Sequence, residues 1–113
     1  MNKLITVAVI DSGIYPHIDF KNRIVAFKDF VNGRKNAYDD CGHGTHVSGI
    51  IAGSGYASHG RIKGICPAAR LAGIKVLDRL GNGRIENVLD ATDWIISHQK
   101  DLNIRIVNIS FGA

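Results

Sequence analysis

Two residues in this chain have the type and the surroundings for acid–base chemistry, Asp11 and His43. Asp11 closes the apolar run 4–10 and is followed at once by Ser12-Gly13. A carboxylate at a strand tip can orient an imidazole or bind a metal or a phosphoryl group. It can also simply cap its own turn through an Asx-type hydrogen bond, and for an isolated Asp-x-Gly that reading is the stronger. His43 lies in Asp40-Cys41-Gly42-His43-Gly44-Thr45-His46-Val47-Ser48-Gly49. The flanking glycines leave its imidazole open to approach at a helix start, while Thr45 and His46 can bond backbone or core. With an aspartate at a strand tip in the same chain, His43 is a general-base candidate. A metal reading competes, since His43 and His46 are spaced i, i+3 and Asp11, Asp39 and Asp40 carry oxygen. The helical His-Glu-x-x-His pattern is absent, so the acid–base reading is preferred and no metal site is assigned. Cys41 and Cys66 are too few for a disulfide framework, lack zinc-site spacing, and read as plain thiols.

These side chains need a scaffold. Four short runs, 4–10, 24–27, 71–77 and 104–111, are rich in β-branched residues and continuous rather than alternating. That is the pattern of parallel strands covered on both faces. Over 85–99 the residues Ile85, Val88, Leu89, Thr92, Ile95 and Ile96 follow a helical stripe, with Glu86 in the first turn and Lys100 just past the end complementing the dipole. A second helix over 43–52 carries Val47, Ile50 and Ile51 but also Gly44 and Gly49. Its propensity is poor, so packing must hold it, and its small residues allow close approach to a neighbouring backbone. The order strand, strand, helix, strand, helix, strand predicts an α/β fold. Its sheet is doubly wound, mostly parallel and incomplete, with about four strands and two main helices.

In such sheets ligands gather beyond the carboxyl ends of the strands. That singles out Asp11-Ser12-Gly13, residues 78–83 and Ser110-Phe111-Gly112. The last run ends close to Ala113 with no closing helix, which predicts an open sheet edge and a piece of a larger domain.

Composition narrows the function classes. The 113 residues are 45% hydrophobic and 21% charged, as for one globular domain spanning 1–113. The net charge of +4 comes from interspersed basic and acidic residues, unlike the clustered basic face with stacking aromatics that nucleic acid requires. No apolar stretch approaches the ~20 residues of a membrane span, and no signal peptide is visible, so neither nucleic acid nor membrane is an expected partner. The cytoplasm is the favoured compartment.

Several ordered blocks carry a resemblance. Val7-Ala8-Val9-Ile10-Asp11-Ser12-Gly13-Ile14 resembles the aspartate motif of the subtilisin-like serine proteases. His43-Gly44-Thr45-His46-Val47-Ser48-Gly49 is similar to their histidine motif, with Ser48 in place of the commonest Ala. Gly64-Ile65-Cys66-Pro67-Ala68-Ala69, Lys75-Val76-Leu77, Gly81-Asn82-Gly83 and Asn108-Ile109-Ser110-Phe111-Gly112 resemble the next blocks in order. The resemblance implies that Asp11 orients the imidazole, that His43 is the general base and then acid, and that His46 is structural. It implies that Gly81-Asn82-Gly83 and Ser110-Phe111-Gly112 bracket an extended peptide or protein substrate by pairing with its backbone. The layout around Tyr15-Pro16-His17 and Tyr38-Asp39-Asp40 looks most like the bacterial intracellular branch.

The departures matter for mechanism. Neither the family's Gly-Thr-Ser nucleophile block nor its oxyanion asparagine block occurs in these residues, and Ser12, Ser48, Ser54, Ser58, Ser97 and Ser110 all stand in other contexts. The chain is therefore expected to be inactive alone and to need the remainder of a catalytic domain. The family often binds calcium after the histidine helix, but residues 53–61 offer no carboxylate, so no cofactor is expected. Two other readings stand beside the protease. One is a non-catalytic module that self-associates or binds a partner through its open sheet edge, and the other is a small-ligand or phosphate-binding domain, disfavoured because no Gly-rich phosphate loop follows the first strand.

Overall fold

A computed structural model describes residues 4–111. It contains strands β1 (Thr6–Asp11), β2 (Ile24–Asp29), β3 (Arg70–Lys75) and β4 (Ile104–Ile109), and helices α1 (His43–Ala52) and α2 (Ile85–Leu102). Short 3-10 turns at Ile18–Phe20 and Tyr56–Ser58 fill two of the connections. The strands form one parallel sheet in the order β2-β3-β1-β4. The α/β architecture, its four strands and its two helices are those expected from the sequence. The element ends differ by a few residues: β1 begins later and takes in Asp11, and β3 and β4 end earlier. Helix α2 runs on to Leu102, so Lys100 lies within its last turn rather than beyond it.

Alternation along the central strands divides the core into two layers. Ala8, Ile10, Ala72 and Ile74 face α2, where they meet Ala91 and Ile95. Val7, Val9 and Leu71 face the other way, against Ala52 with Val47 and Ile51 of α1. Both faces of β1 and β3 are therefore covered, which is why their sequences are continuous rather than alternating. The outer strands differ: β2 is half-buried, and β4 leaves Ile106, Val107 and Ile109 exposed. Among the described residues no helix is long and apolar enough to cross a membrane.

The connections carry an unusual feature. From β2 through α1 to β3, and from β3 through α2 to β4, the chain advances in the same direction across the sheet. The two helices nevertheless pack on opposite faces. Crossovers that advance the same way on opposite faces have opposite hands, so one of the two departs from the right-handed form found in about 98% of such units.

Helix α1 is poor in helix formers, and its start is held from outside. The Gly44 N–H donates to Ser12 Oγ at 2.9 Å and the Thr45 N–H donates to Asp39 Oδ2 at 2.9 Å, so two of the helix's free amide groups are capped by side chains from preceding segments. A Cβ on Gly44 would lie 2.1 Å from the Gly13 carbonyl oxygen, so only glycine lets the helix sit this close to β1. Gly13 itself has φ +120° and packs on the Tyr38 carbonyl. Within the buried side of α1, the Ser48 hydroxyl finds no hydrogen-bond partner among the described residues.

Candidate active site

The carboxyl edge of the sheet gathers the residues that the sequence singled out. Asp11 is the last residue of β1 and fully buried. His43 is the first residue of α1, and its Nδ1 lies 2.9 Å from each Asp11 carboxylate oxygen. A carboxylate accepts, so the Nδ1–H donates and the imidazole is held in the tautomer whose Nε2 is a free acceptor. The ring is about half exposed, 47% by side-chain area, while its partner is wholly enclosed. The imidazole therefore has an open face and a hydrogen-bond partner that is itself enclosed. Asp11 also accepts from the Ser12 N–H at 2.7 Å, so the turn-capping role and the imidazole-orienting role are filled by one carboxylate.

Ser12 is buried and knits the site together. Its hydroxyl donates to Asp39 Oδ1 at 2.8 Å while accepting from Gly44. Asp39 also takes the Cys41 and Gly42 N–H groups and the Thr45 hydroxyl. Burial is the largest single influence on the Asp39 carboxyl and favours its neutral form. The hydrogen bonds from Thr45, Gly42 and Ser12 together outweigh burial and leave its pKa below the ordinary carboxylate value. Asp40, the other acidic residue of this loop, accepts from Lys75 Nζ at 2.7 Å. Of the oxygens offered to the metal reading, those of Asp11 and Asp39 and Asp40 Oδ1 accept N–H or O–H groups of the protein. Among the described residues no group of three or more His, Cys, Asp or Glu side chains could hold a metal.

Two further segments flank this pair. Because β1 lies between β3 and β4, the residues that follow those strands emerge on either side of Asp11 at the same edge. After β3, Asp78 accepts the N–H groups of Leu80 and Asn82, and Leu77 bridges to Gly83, shaping Gly81-Asn82-Gly83 into a tight exposed turn. After β4, Ser110 is exposed and hydrogen-bonds Asn108, while Phe111 packs back on the α2 side of the core. Gly112 lies outside the described residues.

The sequence did not reveal how the pair is braced. Lys75 was visible only as part of a block, yet it is fully buried with its ammonium among polar acceptors. A lone lysine in an apolar strand covered on both faces is the available signal, since a buried ammonium must find partners.

The sequence profile of the subtilase family, Peptidase S8, matches residues 2–113. The chain belongs to the subtilase family. It is 46% identical over 114 residues to serine protease AprX of Bacillus subtilis (strain 168), covering 98% of this chain and 26% of that relative. It is 38% identical over 111 residues to subtilisin E of the same organism, covering 96% of this chain and 27% of the relative. Among solved structures, a cold adapted subtilisin-like serine proteinase superposes with a TM-score of 0.71 at 35% identity, over 82% of this chain and 32% of that one. The chain therefore spans about a quarter of the length of these curated subtilase relatives. The relatives are serine proteases, and the subtilase fold is the one described above.

Proposed function

We propose that these residues form the aspartate–histidine half of a serine endopeptidase active site. The observation that carries the reading is the 2.9 Å approach of His43 Nδ1 to a fully buried Asp11 carboxylate at the ligand-binding edge of the sheet. In this reading Asp11 orients the imidazole and stabilises its charged form. His43 Nε2 takes the proton of a serine hydroxyl supplied by the remainder of the catalytic domain, then returns it to the leaving amine. An extended peptide lies between Gly81-Asn82-Gly83 and Ser110-Phe111-Gly112, pairing with their backbone as an added strand.

The reading uses no metal. The loop after α1 is tied by hydrogen bonds, one of them to a carboxylate from the connection between β1 and β2: Asp19 Oδ1 accepts the Ala57 N–H, and Ser58 Oγ donates to the Gly55 carbonyl and accepts from the Ile62 N–H. That donor set does not fit calcium, which wants several free oxygens.

The test is peptide hydrolysis by the protein expressed in full from its gene, beside the polypeptide of these 113 residues alone. The full protein is expected to cleave, and the 113 residues alone are expected to be inert for want of a nucleophile. His43→Ala in the full protein should lower kcat by about six decades, the loss measured for histidine removal in a subtilisin. An inert full protein, or a His43→Ala variant with undiminished activity, would sink the proposal.

A further inference from the structure

Lys75 is fully buried, and the proton transfers described above make no use of it. A buried ammonium is costly unless its charge and each of its protons are matched. Here all three protons have acceptors: the Ser12 carbonyl at 2.6 Å, the Leu77 carbonyl at 2.7 Å and Asp40 Oδ1 at 2.7 Å. The ammonium also lies 5.2 Å from the centroid of the Tyr38 ring. In the last register row of the sheet Lys75 stands between Asp11 and Asp29.

The three acceptors belong to three different segments. Ser12 follows the strand that ends in Asp11, Asp40 precedes the helix that begins at His43, and Leu77 opens the turn that contains Gly81-Asn82-Gly83. Leu77 is tied in twice more, donating its N–H to the Asp11 carbonyl at 3.2 Å and bridging to Gly83. One side chain thus joins the aspartate turn, the loop leading to the histidine and the segment assigned to the cleft wall. Stability alone does not call for an ammonium here, because apolar side chains of similar volume commonly match or exceed a buried ion pair.

Resting on the protease reading above, we infer that Lys75 is a positioning residue: it fixes these three segments against one another, so that the imidazole keeps its alignment on Asp11 and on the substrate. Misplacement of reacting groups by about 1 Å from a remote change can cost about 100-fold in rate.

The experiment uses the full protein carrying Lys75→Met, which keeps length and volume but removes the donors. Two quantities are read: kcat/KM on a peptide, and the low-field proton resonance of the His43 Nδ1–H, which reports its hydrogen bond to Asp11. The expected result is a loss of about 100-fold in kcat/KM at temperatures where the variant is folded, with the resonance moved upfield or broadened by exchange. A variant with a lower unfolding temperature but unchanged resonance and kcat/KM would make Lys75 merely structural and overturn the inference. If Lys75→Met does not fold, Asp40→Ala decides, since Asp40 is partly exposed and its loss loosens only one arm of the clamp. The resonance should then move in the same direction by a smaller amount, and an unmoved resonance overturns the inference. The resonance is readable in a protein that cleaves nothing, so failure of the protease reading and failure of this one are separate outcomes.

Discussion

The Asp39 carboxylate accepts hydrogen bonds from Ser12, Cys41, Gly42 and Thr45, and none of these donors follows it onto a protonated acid unchanged. Its folded-state pKa is lowered, so the folded protein binds fewer protons than the unfolded chain over the acid range. The stability that Asp39 contributes is therefore complete above the unfolded value, about 3.9, and is lost as pH falls through the folded one. Asp29 has a lowered pKa as well, because bonds from Tyr38, Asn32, Val31 and Arg34 outweigh its burial, and it adds to the same slope. Urea midpoints measured between pH 6 and pH 3 should fall most steeply below about pH 4. In Asp39→Asn the midpoint at pH 6 should be lower but the acid slope shallower. Parallel curves for the two proteins would remove Asp39 from the account. The sequence offered Asp39 only as one of several oxygens near two histidines. Its actual partners are amides and hydroxyls from both sides of the site, and that convergence exists only once the chain is folded.

Helix α1 shows at the element scale how packing overrides propensity. Its two glycines look equivalent in the sequence, each a poor helix former. In the fold they are opposites: a Cβ at Gly44 would strike the Gly13 carbonyl oxygen at 2.1 Å, and a Cβ at Gly49 would meet nothing within 4 Å. Gly44→Ala should thus cost about 3 kcal/mol, the upper end for overpacking, and should displace His43 from Asp11. Gly49→Ala should stabilise by about 0.5–1 kcal/mol, the ordinary gain of alanine over glycine inside a helix. Denaturant unfolding of both variants checks the pair, and equal effects would mean that the close approach of α1 to β1 is not what Gly44 provides. The extent of α1 and the near-apolar runs of β1 and β3 were legible in the sequence, since periodicity and continuous burial leave a direct mark. The opposite hands of the two crossovers were not. Handedness depends on which face each helix chooses, and the residues of β1 and β3 are apolar toward both.

At the scale of the whole molecule the two sides of the sheet are unequally finished. The edge strand β2 is half-buried, whereas at β4 the residues Ile106, Val107 and Ile109 are 47%, 44% and 53% exposed. Their register partners Val7, Ala8 and Ile10 place Ile106 on the α1 face and the other two on the α2 face, so both core layers run out to solvent there. On α2, Leu89 and Ile96 are exposed as well. Exposed apolar surface beside unpaired strand backbone is a template for pairing with another chain. The relatives reach roughly four times this length, with sequence enough to cover such a band. We therefore expect the polypeptide of these 113 residues alone to self-associate, with a mass by light scattering that rises with concentration. Ile106→Lys combined with Ile109→Lys should restore the monomer, since charges on an edge strand oppose edge-to-edge pairing. The same two substitutions in the protein expressed in full should instead destabilise it, because there the band is expected to lie against further strands. A monomeric 113-residue polypeptide that unfolds cooperatively would show that the β4 edge needs no cover, and would favour a self-sufficient module over a piece of a protease domain.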